Sequence, residues 1–128
     1  MPASYVIEKE RRLVITTGKD RVTFAEANTH RDQLLNDPDF KSEFDQLVDL
    51  TAVTALDISA QEARAMGTRG LFSSTSRRAI VAPTPAIFGM GRMMQAYNEL
   101  SDLATQIRVF HDLGSALKWL DLHRQVTG

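Results

Sequence analysis

The chain contains no cysteine. Disulfides, thiolate metal sites and a cysteine nucleophile are therefore excluded together, and the composition suits a reducing compartment. Long apolar runs are missing as well: no stretch approaches the roughly 18 apolar residues of a membrane-spanning helix. The opening "MPASYVIEKE" has no apolar core of signal-peptide length. These absences lead to the expectation of a cytoplasmic protein without integral membrane association. An excess of one charge is lacking too, with 15 Lys and Arg against 16 Asp and Glu, so the clustered basic surplus that nucleic acid requires is not there.

Groupings that would carry catalysis are equally scarce. His30, His111 and His123 are the three histidines, and their separation denies them i, i+4 spacing, so neither a metal nor a cofactor is expected. No serine sits in a Gly-x-Ser-x-Gly turn. His111 and Asp112 adjoin at a strand end, but neighbours in a strand point to opposite faces. Paired carboxylates such as Glu8 with Glu10, or Asp37 with Asp39, lie in polar segments with no apolar surroundings to raise a pKa. The sequence gives catalysis no support, and no enzyme is expected.

What is present is the ordinary composition of one soluble domain, 43% hydrophobic and 24% charged over 128 residues, enough to bury roughly two thirds of the unfolded surface. The expectation is a single domain over residues 1–128 with an ordered core of about 4–122. Two β-rich runs, "SYVIEKE" and "RLVITTG", predict an N-terminal hairpin broken after its second arm by Gly18 and Asp20. From Thr23 the apolar period becomes helical through Phe24, Ala27, His30 or Arg31 and Leu34, with Thr23 and Glu26 as a capping box and Pro38 as the stop. "FDQLVDL" reads as a buried strand and "TAVTALD" as the connection after it. A second capping box, Ser59 with Glu62, starts a helix that closes on Gly67 or Gly70. "RRAIVAP" reads as a central strand with Arg77 and Arg78 at a solvated rim. Thr84 and Pro85 then start a long helix, "TQIRVFHD" a last strand, and "LGSALKWLDLHR" a last helix with Leu113, Leu117 and Leu120 on one face. The order ββαβαβαβα implies a mixed, mostly parallel sheet packed by about four helices.

The pieces "FDQLVDLTAVT", "SRRAIVAPTPAIFGMGRMMQAY" and "IRVFHDLGSALKWL", in this order of elements, resemble the SpoIIAA-like, STAS-like family of small bacterial α/β domains. The resemblance covers about residues 4–122 and implies a STAS-like fold. In the related anti-sigma-factor antagonists a serine at the helix start after the third strand is phosphorylated by a partner kinase. Their Asp-Ser-Ser-Gly motif corresponds here to "LDISAQE", with Asp57 and Ser59 retained and Ile58 and Ala60 replacing the first serine and the glycine. The resemblance thus makes Ser59 a candidate phosphosite. Capping alone also explains a serine three residues before a glutamate. A phosphate there would gain from the helix dipole and be opposed by Asp57 and Glu62.

The stretch "GMGRM" is no dinucleotide loop, because the third glycine of the fingerprint would fall on Met94 and "PTPAI" separates strand from glycines. Helical spacing groups Ile87, Met90, Met94, Tyr97 and Leu100 as a core stripe. Phe88, Arg92 and Gln95 fall away from that stripe, and two helix-interior glycines each cost up to about 1 kcal/mol. Phe88, Gly89, Gly91 and Arg92 form the candidate patch for a ligand or partner, where something packs closely. The reading that follows is a non-catalytic regulatory or protein-interaction module, docking on a partner protein or as a homodimer. The alternative is a carrier or sensor of a small apolar or lipid-like ligand, to which the similarity of SpoIIAA-like domains to Sec14-type lipid-transfer domains adds weight.

Overall fold

Short apolar runs, alternating in Ala3–Glu8 and continuous where both faces are covered as in Arg77–Val81, build five strands, and helical periods between them build four helices. The computed structural model describes residues 3–68, 70–101 and 105–127, with side chains to residue 121. In chain order the elements are β1 (Ala3–Glu8), β2 (Leu13–Thr23), α1 (Phe24–Leu35), β3 (Asp45–Asp57), α2 (Ala60–Thr68), β4 (Arg77–Val81), α3 (Pro85–Glu99), β5 (Gln106–Phe110) and α4 (Leu113–Thr127). The helical backbone of α4 continues past residue 122, where the sequence reading ends the ordered core. The sheet order is β1-β2-β3-β4-β5. β1 pairs antiparallel with β2, and every later pair is parallel, as expected for strands joined through helices.

Successive residues of each strand serve opposite faces of the sheet. Leu13, Leu47, Ala79 and Val81 pack with Ala116 and Leu120 of α4 on one face. On the other face Val22, Leu50, Val53, Ile80 and Val109 pack with Ile87, Phe88 and Met94 of α3. Val14, Leu34, Phe44 and Phe72 extend the core beneath α1. Three helices therefore cover one face and α4 covers its reverse.

Two expected breaks do not occur. β2 runs through Gly18 and Asp20, and β3 continues through the segment expected to be a connection. The pairing persists because the register shifts between Thr17 and Lys19 and again between Asp20 and Arg21. Asp20 absorbs the irregularity with φ of 57°, a conformation that aspartate tolerates better than most side chains. Gly18 is needed for proximity, since a Cβ there would stand 2.9 Å from Val53 Cγ2.

The caps follow the sequence more closely. Thr23 and Glu26 form the expected reciprocal box at the start of α1, and Thr84 caps α3 ahead of Pro85. At the far end of α3, the buried Asn98 side chain donates to Thr105 O and accepts from Thr105 N, fastening the helix to the approach of β5.

Candidate functional site

A cavity of about 160 Å³ lies between the sheet and helices α1, α2 and α3. Its construction follows from the strand alternation. Thr16 of β2, Gln46 of β3 and Arg78 of β4 project toward the three-helix face, while Val22, Leu50, Leu56, Ile80 and Ile107 supply apolar floor on that same face. Ala27, His30 and Arg31 of α1, Met66 and Gly67 of α2, and Met94 of α3 complete the wall, with Ile58, Leu71 and Phe72.

The polar residues form one directed chain. An arginine can only donate, so Arg78 Nε donates to Gln46 Oε1 at 2.9 Å and turns the amide. Gln46 Nε2 then donates to Thr16 Oγ1 at 2.9 Å. Thr16 Oγ1 and His30 Nε2 lie 3.0 Å apart and share a hydrogen bond whose direction follows the imidazole tautomer. Burial first, and the Arg78 charge second, hold the imidazole pKa below its ordinary value of 6.5. Tyr5 meets the His30 ring edge-on at 5.4 Å, and its hydroxyl donates to Asp37 Oδ2 at 2.8 Å.

Arg77 and Arg78 do not form the expected solvated rim. Adjacent strand positions send them to opposite faces. Arg77 lies over the Trp119 ring at 4.7 Å and donates from Nη1 to Trp119 O, tying α4 to the sheet. Arg78 lies over the Phe72 ring at 4.7 Å. Arg31 donates from Nη2 to Gly70 O across 3.5 Å, and its Nη1 stands 3.9 Å from Asp32 Oδ1. The Nε of Arg31 is buried with no hydrogen-bond partner among the described residues.

Ser59, Phe88, Gly89, Gly91 and Arg92 lie outside the cavity lining and do not form one surface. Ser59 is exposed at the start of α2; its Oγ accepts from Glu62 N at 3.1 Å, and Glu62 Oε1 accepts from Ser59 N at 2.8 Å. Its neighbour Ile58 is buried in the cavity wall. On α3 the inward row is Ile87, Gly91, Met94 and Asn98, which corrects the expected stripe: Leu100 is 84% exposed. The reason is Gly91, whose missing side chain lets the helix settle onto β5; a Cβ would lie 3.1 Å from Val109 Cγ1. Nor does Phe88 point away. It packs on the core and stacks on His111, with ring centroids 4.0 Å apart and planes 4° from parallel. Gly89 and Arg92 are exposed, and nothing lies within 4 Å of a Cβ at Gly89. Sequence reasoning missed the row of Thr16, Gln46 and Arg78. Its one signal was a glutamine and an arginine at buried-face positions of otherwise apolar strands.

No helix among the described residues is long and apolar enough to cross a membrane. No protein-family model matches the chain, and no curated protein matches it. Among solved structures, it is similar to an uncharacterised protein of the DUF3478 family with a SpoIIAA-like fold from Shewanella loihica PV-4, with 19% identity and a TM-score of 0.57. The likeness covers 92% of this chain and 93% of that one. Element order, sheet topology and this likeness together give the chain a SpoIIAA-like α/β fold.

Proposed function

We propose that the chain is a non-catalytic regulatory module that binds a small, largely apolar ligand between its sheet and its three-helix face. The observation that carries this reading is the cavity itself. Well-packed interiors keep few voids larger than a water molecule, whereas a volume near 160 Å³ matches an apolar site able to hold a benzene-sized guest. Its wall includes Met66 and Gly67 of α2 and Met94 of α3, and methionines adapt to irregular guests. The same two helices carry Ser59, Phe88 and Arg92. Filling the cavity would therefore bias the surfaces that a partner could read, joining sensing to docking.

A docking surface without a ligand is the second reading, favoured by exposed Gly89 and Arg92 beside the Phe88–His111 stack. Native mass spectrometry and thermal melts separate the two. A ligand-binding module co-purifies with, or is stabilised by, a small apolar compound in proportion to its concentration. A pure docking module shows neither effect and loses its partner on Arg92→Glu. Phe88→Asp is a poor probe of docking because it also removes core packing.

A further inference from the structure

Charge in the cavity wall is one-sided. Arg31 and Arg78 contribute two cations, burial holds the His30 pKa below its ordinary value, and no aspartate or glutamate among the described residues lines the space. Both arginines flank the Gly70–Phe72 segment, Arg31 through its bond to Gly70 O and Arg78 through its stack on Phe72. One end of the cavity is thus cationic, and the remainder is mostly aliphatic. Arg78 is held in place by Gln46 and Phe72 before any ligand arrives, which favours binding through preorganisation. The Nη atoms of Arg31 make two long contacts, to Gly70 O and Asp32 Oδ1. A guanidinium donor in that state gains most from an anionic acceptor.

Resting on the ligand-binding reading above, we propose that the cavity selects a small monocarboxylate with an apolar body, its carboxylate met by Arg31 and Arg78. Size sets the body at on the order of six to ten carbon atoms, because a cavity of comparable volume holds benzene. The pocket is partly open to solvent, so this volume limits the part of a ligand that enters it. The ligand's alkyl or aryl body would lie against Leu50, Leu56, Ile80 and Met94.

Sodium octanoate, 1-octanol and octylamine, titrated separately into the full chain by calorimetry, test this. Methyl NMR of Met66 and Met94 reports whether a probe enters the cavity. The expected result is saturable one-to-one octanoate binding that shifts both methyls, with octanol weaker by roughly tenfold or more and octylamine weaker still. Arg31→Gln removes the preference for octanoate and leaves octanol binding unchanged. Equal octanoate and octanol affinities, unaltered by Arg31→Gln, overturn the carboxylate proposal while leaving the ligand-binding reading standing. If no probe shifts the methionine methyls, that reading fails and the carboxylate proposal fails with it.

Discussion

Replacing Gly67 and Gly89 by alanine should move stability in opposite directions, although both glycines are helical and neither has a positive φ. At Gly89 no atom lies within 4 Å of the added methyl, so only the backbone effect remains, a gain of about 0.5–1 kcal/mol. For a domain of this size that raises Tm by roughly 2–6 °C. At Gly67 the same methyl would sit 2.7 Å from Met94 O and 2.9 Å from Tyr97 Cβ. Ordinary contact begins at 3.4 Å, so Met94 O must retreat by 0.7 Å. Because it is a backbone atom, no rotamer change can relieve the clash, and α2 and α3 must part. Overpacking of this kind costs about 1–3 kcal/mol, which outweighs the propensity gain near the end of a short helix. Urea melts with unchanged m-values would report Gly89→Ala as more stable and Gly67→Ala as less stable than the parent. A Gly67→Ala variant as stable as the parent would refute the close approach of α2 to α3. A destabilised Gly89→Ala would refute the open surface.

Other expectations follow from single contacts. His30 is held below its ordinary pKa of 6.5, so the unfolded chain takes a proton that the folded chain refuses. Stability should fall as pH drops below about 6.5 until the folded pKa is reached, and His30→Gln should flatten that slope in urea melts at about pH 7.5 and about pH 5. Asp37 and Asp112, held below 3.8, lose their stabilising effect only at more acidic pH, so they do not mask this window. Ser59→Ala should cost about 1 kcal/mol through the lost cap; under the switch reading it should also abolish a phosphorylated species on a phosphate-affinity gel, whereas under capping alone no such species exists in the parent. Asn98→Ala, which leaves the buried Thr105 backbone without its side-chain partner, should lower stability by about 1–3 kcal/mol and speed hydrogen exchange at the Thr105 amide.

Local rules made much of the fold legible. Capping chemistry placed the starts of α1, α2 and α3, because each cap is settled within four residues. Order and type of element followed from period, and strand–helix alternation gave the parallel pairing. Misreadings came where distant residues decide. Gly18 and Asp20 look like a strand end until β3 supplies a register shift that uses both. Leu100 looks like core until Gly91 is seen to bring its own side of α3 against Val109.

By itself, the sequence determined the element order, the helix caps, the absence of thiol chemistry and the balance of charge, all of which depend on composition or on neighbours in the chain. Only the tertiary structure decided that Arg77 and Arg78 part to opposite faces and that Thr16, His30, Gln46 and Arg78 meet. His30 and Arg78 stand 48 positions apart in the sequence, and only β2 and β3 lying side by side between α1 and β4 make them partners. A cavity is what packing leaves unfilled, and no local pattern of residues records it.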